Sequence, residues 1–255
     1  MIPFTKMQAV GNDFVVIEEP EDIDLAALAI KACDRRFGIG ADGLLTYKPK
    51  DTGLHFRIFN ADGSEDTMCG NGLRCVVRLA VERGVAQDEG VARTRAGDVP
   101  YLLQGKQATL ALPPPEFWQT SVPGATTVDT GSLHTVLWPT SFPTDTAFVK
   151  ESAALEINPL FPKKTSVLWA VVTGTNRIRL RIWERGVGET LGCGTGACAA
   201  AVVAVQSGRT QPATPIDIDS PGGALLVSWN GLRDSPILLT GPAETVFSGT
   251  LSLWI

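Results

Sequence analysis

The sequence predicts an α+β fold built twice, each half a set of short strands around one central helix. Three observations predict it. The motif Cys-Gly-x-Gly stands at Cys69-Gly70-Asn71-Gly72 and again at Cys193-Gly194-Thr195-Gly196, 124 positions apart (193 minus 69) in a chain of 255 residues. The flanks repeat as well: Arg57-Ile58-Phe59 precedes the first Cys at the spacing at which Arg181-Ile182-Trp183 precedes the second, and Glu65 aligns with Glu189. Each motif also lies between an alternating, strand-like segment and an apolar, helix-like one.

In chain order, Thr5–Val10 and Phe14–Glu18 read as strands joined by Gly11-Asn12-Asp13, which has turn chemistry. Asp24–Arg36 reads as a helix, with Leu25, Leu28, Ala29 and Ala32 at helical spacing and Gly38 as its stop. Leu54–Phe59 alternates as a half-buried strand, and the polar loop Asn60–Met68 leads into the first motif. Leu73–Arg83 is helical up to Gly84, and Val91–Arg95, Val99–Leu103 and Gln107–Leu112 are short strands. Pro113-Pro114-Pro115 and the stretch to Pro123-Gly124 cannot continue either kind of element and mark a boundary. In the second half Asn176–Trp183 alternates, a Gly-rich loop follows, and Ala197–Gln206 is apolar nearly all round, the pattern of a helix buried on every side. The division expected is residues 1–116 and 117–247, with the last segment, 248–255, as a candidate to complete the first half by a strand at Thr250–Ile255.

Composition narrows the function. The apolar fraction of 44% suffices for a core in each half. The formal charge is −5, and Lys and Arg are scattered, which argues against nucleic acid or an anionic membrane as partner. The longest apolar run, Ala197 to Val205, is too short to span a bilayer. Met1–Lys6 lacks the pattern of a signal peptide, so the cytoplasm is the expected compartment. Cys33, Cys69, Cys75, Cys193 and Cys198 are odd in number, contain no CxxC and are accompanied only by His55 and His134, which argues against both a zinc site and a disulfide framework.

The repeated motif carries the chemistry. Where a loop enters a helix, unpaired N–H groups and the positive end of the dipole form an anion cradle, and glycines let a ligand approach the backbone. A Cys there is expected to have its thiolate favoured. Two such cradles facing one another suit a two-base racemase, with one thiolate removing an α-proton and the opposite thiol supplying one to the other face. The remaining cysteines, Cys33, Cys75 and Cys198, read as packing. Gly38-Ile39-Gly40-Ala41-Asp42-Gly43 fits GxGxxG but follows a helix and precedes a strand, the wrong order for a dinucleotide turn. Gly192–Ala197 fits the looser GxGxxA without the surrounding βαβ pattern. An NAD-dependent oxidoreductase and a non-catalytic amino-acid binder are the alternatives of another class. His55 reads as an ordinary strand residue, and the six tryptophans as core.

At these residues the chain resembles the diaminopimelate epimerase family of cofactor-independent amino-acid epimerases. The blocks that carry the resemblance are Lys6–Phe14, Arg57–Ser64 running into Met68–Cys75, and Glu184–Thr190 running into Cys193–Ala197, so that it covers nearly the whole chain. It implies two similar domains, each a mixed sheet or barrel around a central helix, with the site in the cleft between them. It implies Cys69 and Cys193 as the acid–base pair. Gly70, Asn71, Gly194 and Thr195 would hold the reacting carboxylate through their backbone, and Asn12, Asn60, Glu184 and Arg185 would help to hold the amino acid. It implies conversion of LL- to meso-diaminopimelate, no cofactor or metal, a small amino acid as the only partner, and a homodimer.

Three departures from the family pattern stand out. A Gly-Asn-Pro-His block reads Gly131-Ser132-Leu133-His134, an Asn after Phe-Pro is replaced by Ser166, and a Gln after Gly-x-Asp is Gly43. All three shorten polar groups expected at the distal end of the substrate. Ser132 and Ser166 are therefore expected in the substrate pocket, and racemisation of a different α-amino acid is the alternative substrate reading.

Overall fold

The computed structural model describes residues 1–50, 53–119 and 122–252. Residues 120 and 121 of the Pro-rich stretch and 253–255 of the expected last strand lie outside the described residues. The chain forms two compact units, Met1–Leu110 with the segment from Gly241 onward, and Ala111–Thr240.

The first unit contains β1 (Ile2–Ala9), β2 (Asn12–Glu18), α1 (Leu25–Cys33), β3 (Gly43–Lys50), β4 (Gly53–Asn60), the two-residue β5 (Glu65–Asp66), α2 (Gly70–Glu82), β6 (Glu89–Thr94), β7 (Gly97–Gln104) and β8 (Gln107–Leu112). The second contains β9 (Glu116–Trp118), β10 (Ala125–Asp129), β11 (Leu133–Leu137), α3 (Asp145–Glu156), β12 (Ser166–Gly174), β13 (Arg177–Glu184), β14 (Gly188–Thr190), α4 (Gly194–Gln206), β15 (Ile216–Ser220), β16 (Gly223–Ser228) and β17 (Ile237–Pro242). The last strand, β18 (Glu244–Leu251), pairs with β1.

The duplication visible in two short sequence blocks extends to the whole ladder. In the first unit the strands run β18-β1-β2-β3-β4-β6-β7-β8, with parallel pairs only at β2–β3 and β4–β6. In the second they run β9-β10-β11-β12-β13-β15-β16-β17, with parallel pairs only at the matching β11–β12 and β13–β15. Each parallel pair is bridged by a helix, as a parallel connection requires. α1 matches α3, and α2 matches α4.

Each sheet therefore has a helix on either face. Period-2 alternation sends Val15 and Ile17 of β2 toward α1, where they cluster with Leu25, Leu28 and Ala29. The ring of Phe14 points the other way, toward Gly72 of α2. Every residue of α4 except Thr195 and Gln206 is buried, as its all-round apolar text predicts. Among the described residues no helix is long and apolar enough to cross a membrane.

Some boundaries differ from expectation for physical reasons. The β1–β2 turn is Val10-Gly11, with φ of 49° and 82°, and Asn12 and Asp13 already belong to β2. Such a two-residue hairpin needs positive φ at both centres, and Val10 accepts it despite its branched side chain. α1 ends at Cys33, because the Asp34 side chain turns back to accept from the N–H groups of Arg36 and Phe37. α3 escapes pattern reading because it buries only Phe148, Ser152 and Glu156.

Candidate active site

Both motifs build the same local structure. Cys69 caps α2 and Cys193 caps α4, each in extended backbone. The sulfur accepts from the third N–H of the helix, Gly72 N at 3.5 Å and Gly196 N at 3.4 Å. The helices therefore begin at Gly70 and Gly194, not at Leu73 and Ala197 as sequence pattern suggests. Poor helix formers occupy the first turn because the cradle needs bare backbone there. At the third position a Cβ would meet Leu45 Cδ2 at 3.0 Å in one unit and Leu168 Cδ2 at 3.1 Å in the other. Glycine lets each helix start sit directly on its strand.

The aligned Arg and Glu also do the same work twice. Arg57 pairs with Glu65 at 2.8 Å and Arg181 with Glu189 at 2.6 Å, tying β4 to β5 and β13 to β14 just ahead of each Cys.

Around Cys69, Asn12 and Asn71 come together. Asn12 Oδ1 lies 3.9 Å from the sulfur and accepts from Asn71 Nδ2 at 3.3 Å. Arg74, fully buried, donates to Asn71 Oδ1 at 2.9 Å and to the carbonyl of Gly70 at 3.3 Å. Behind Asn12 lies a charged cluster. Asp42 accepts from Asn12 Nδ2 at 2.7 Å, and Arg35 bridges Asp42 and Asp13, each at 2.7 Å. Burial opposes ionisation of Asp13, but Arg35 and Lys6 outweigh it and hold the carboxyl at about 2. Asn60 closes its own turn by donating to Ser64 Oγ at 3.0 Å.

Around Cys193 the partners differ. The sulfur lies 3.4 Å from Thr195 Oγ1 and 3.9 Å from His134 Nε2. Burial, with the Glu184 charge second, pushes the Cys193 thiol well above the ordinary value. The expectation of a favoured thiolate thus fails here, because desolvation outweighs the Thr195 hydroxyl and the Gly196 N–H, which favour it. Burial also lowers His134 to about 4, so its ring is neutral near pH 7. Its Nδ1 lies 2.7 Å from the Ser132 carbonyl, which can only accept, so the proton sits on Nδ1 and Nε2 presents a lone pair to Cys193 and Thr195. The Thr195 carbonyl accepts from Thr130 Oγ1 at 2.8 Å.

The remaining expected residues frame this loop. Glu184 accepts from Thr190 Oγ1 at 2.6 Å. Ser166, buried, accepts from the Arg185 N–H at 3.1 Å, and Arg185 Nη1 donates to the Lys163 carbonyl at 3.2 Å. Glu156 of α3 holds the same turn from behind, accepting from Gly186 N at 3.0 Å and from Trp183 Nε1 at 2.8 Å. Register shows why these positions recur: Phe14 pairs with Gly43 as His134 pairs with Ser166. Gly43 is thus the counterpart of Ser166, and Asn12 of Ser132. A Cβ at Gly43 would lie 2.9 Å from the Phe59 carbonyl, so a side chain there requires the backbone to shift.

His134, Asp42 and Arg74 beside the thiols are contacts that sequence reasoning missed. The repeat offered one signal: Arg74 aligns with Cys198, so a charge faces an apolar thiol across the duplication. The other three cysteines are buried, and burial raises Cys33 and Cys75 to about 12.

A mixed sheet with a helix on each face, made twice, and a cysteine capping one helix of each unit define the class: a duplicated α+β fold. Among solved structures the chain is similar to a phenazine biosynthesis protein of the PhzF family from Bacillus anthracis, with a TM-score of 0.77 at 13% identity, covering 99% of each chain. It is also similar to a hydroxyproline epimerase from Agrobacterium vitis, with a TM-score of 0.69 at 16% identity, covering 97% of this chain and 90% of that one. The family model for diaminopimelate epimerase matches residues 4–112 and 126–246. A diaminopimelate epimerase from Caldanaerobacter subterraneus subsp. tengcongensis is 40% identical, over 98% of this chain and 99% of the relative. One from Azoarcus sp. is 38% identical over 99% of both. The chain belongs to the diaminopimelate epimerase family, and it is an isomerase.

Proposed function

We propose that this protein inverts one α-carbon of diaminopimelate, LL to meso, with Cys69 and Cys193 as the two acid–base groups. The observation that carries the reading is the matched pair of cysteine-capped helix starts. Each presents a sulfur beside the first turn of a helix, at Gly70-Asn71 or Gly194-Thr195, where the dipole is positive. The substrate carboxylate is held at these helix starts and takes up the charge that develops as the α-proton leaves. One sulfur, as thiolate, removes that proton. The other, as thiol, delivers its own to the opposite face. The reverse reaction exchanges the roles.

The surroundings assign a starting state. Burial and Glu184 keep Cys193 protonated, so it begins as the acid. Asn12, Asn60, Glu184 and Arg185 hold the amino acid, with Ser132 and Ser166 toward its distal end. The protein works in the cytoplasm as a homodimer. Supporting the dimer, β18 has exposed Val246 and Phe247 and pairs, among the described residues, with β1 alone.

A second reading, racemisation of another α-amino acid, draws on Gly43 and on Ser166, whose hydroxyl is already engaged by the Arg185 N–H. Incubation of the reduced protein in D2O with LL-diaminopimelate and, separately, with a panel of single amino acids decides between them. Labelling and inversion of diaminopimelate is the expected result. Labelling of a different amino acid alone would transfer the mechanism to that substrate, and labelling of none would overturn the assignment.

A further inference from the structure

The two Asn side chains beside Cys69 belong to a continuous chain of hydrogen bonds that starts on a cation and ends on an anion. Arg74 Nη2 donates to Asn71 Oδ1 at 2.9 Å. Asn71 Nδ2 donates to Asn12 Oδ1 at 3.3 Å, and Asn12 Nδ2 donates to Asp42 Oδ2 at 2.7 Å. Asp42 is held in turn, through its second oxygen, by Arg35 at 2.7 Å. The Asp13 N–H also donates to Asp42 Oδ2, at 3.1 Å.

An amide can turn end for end in place, and its two orientations differ only in the partners they satisfy. Here the ends of the chain decide. A guanidinium has donors only, so Asn71 must show it the oxygen and turn its NH2 away. An ionised carboxylate has acceptors only, so Asn12 must show it the NH2 and turn its oxygen away. That oxygen is the atom 3.9 Å from Cys69 Sγ. Both charged ends bond more strongly than neutral groups would.

We propose that Arg74 and Asp42 are positioning residues for Cys69: together they lock the Asn12 amide with its oxygen toward the sulfur, which holds the proton on Cys69 and sets the pH at which this thiol becomes a base. An oxygen lone pair accepts from S–H but opposes a thiolate, so the locked orientation favours the thiol. With the lock removed, the amide can rotate and offer its NH2 to the thiolate. The second unit has no counterpart for this chain, because Thr195 and Cys198 stand at the positions of Asn71 and Arg74.

The other charged groups near Cys69 must be separated from the amide. Arg74 and Cys75 approach on α2; Lys6, Asp13 and Arg35 lie with Asp42 behind Asn12. Asp42→Ala removes a charge as well as the lock, and loss of a nearby negative charge by itself also eases thiol ionisation. A double-mutant cycle through Asn12 distinguishes the two. The catalytic consequence rests on Cys69 being a reacting thiol, whereas the readout below concerns its ionisation and stands whether or not the protein is an epimerase.

The experiment is alkylation of the folded, reduced protein by iodoacetamide across pH, with the Cys69 and Cys193 peptides quantified separately by mass spectrometry. Asp42→Ala is expected to lower the Cys69 midpoint by about one pH unit, the size of one net hydrogen bond. In an Asn12→Ala background the same substitution is expected to move it by less than a third of that. The Cys193 midpoint should stay in place throughout, which also reports that the fold is intact. An Asp42→Ala shift of the same size with and without Asn12 would show a through-space charge effect and overturn the proposal, as would no shift in either background. Arg74→Met sharpens the reading where it folds: loss of a cation alone raises the midpoint, whereas loss of the lock lowers it.

Discussion

The two Cys-Gly-x-Gly loops have the same backbone and different surroundings. Both sulfurs cap a helix, accept from its third N–H and sit just after a matched Arg–Glu pair. Yet Cys69 is half-buried and faces an amide, whereas Cys193 is buried and faces an imidazole and a carboxylate. Duplication supplies the scaffold twice, and residues at matched places (Asn12 for Ser132, Asn60 for Glu184, Arg74 for Cys198) make the copies unequal. On the proposed mechanism that is useful, because one thiol starts as base and the other as acid. Each thiol needs a different proton affinity for a given direction of reaction, and the strand ends can tune it without disturbing the helix start.

The largest effect expected from breaking the comparison is at the sulfurs. Cys69→Ala and Cys193→Ala should each lower inversion of diaminopimelate at least about a hundredfold, and toward ten-thousandfold, the range for a lost acid–base group. Steady-state rates followed by a chiral assay check this. Near-full activity in either variant would contradict the need for two bases.

His134 comes next. Its folded value of about 4 lies below its ordinary 6.5, so the unfolded chain binds the extra proton first. Stability is therefore complete above pH 6.5 and falls as pH drops toward 4, by about 3 kcal/mol in all. Urea unfolding across this window should show the decline, and His134→Phe, which copies the matched Phe14 of the first unit, should flatten it. Asp13 acts in a lower window: its stabilisation is present above its ordinary 3.8 and is lost as pH falls through about 2.

Smaller effects test whether the scaffold is equal. Gly72→Ala places a methyl 3.0 Å from Leu45 Cδ2 and Gly196→Ala one 3.1 Å from Leu168 Cδ2 and 3.2 Å from Cys193 Cβ, so each should cost at most about 1–3 kcal/mol by overpacking, less where the leucine gives way. Thermal unfolding of the two should agree within about 0.5 kcal/mol. A large disparity would mean that the helix starts are seated differently. The Arg57→Met and Arg181→Met pair is smaller still, up to about 1 kcal/mol each for the ion pair. The two losses should be similar, since Arg57 also bonds Glu19 at 3.5 Å and lies 4.9 Å over the Phe59 ring, as Arg181 bonds Asp145 at 3.0 Å and lies 3.8 Å over the Phe148 ring.

Much of this was legible in the sequence because it is local or periodic. The Cys motifs, the all-round apolar text of α4 and the alternation around Arg57 and Arg181 each follow from spacing alone. The helix starts at Gly70 and Gly194 were hidden by glycine, whose low helix propensity reads as loop. α3 was hidden because its buried positions are one Phe, one Ser and one Glu. The neighbours that make the thiols unequal lie far off in sequence: His134, 59 positions from Cys193, was not named as its neighbour, and Asn12, 57 from Cys69, was named only through the family resemblance. No local pattern can place a residue there, although the strand register does once the sheet is known.

The central claim is that each sulfur serves one face of the α-carbon. Deuterium exchange by the single-thiol variants tests it most directly. Cys69→Ala and Cys193→Ala are incubated in D2O with each stereoisomer of diaminopimelate, and label at the α-carbon is read before any inversion accumulates. The account predicts that each variant labels one configuration and that the two variants label opposite ones. Labelling of the same configuration by both, or of both configurations by either, would contradict it.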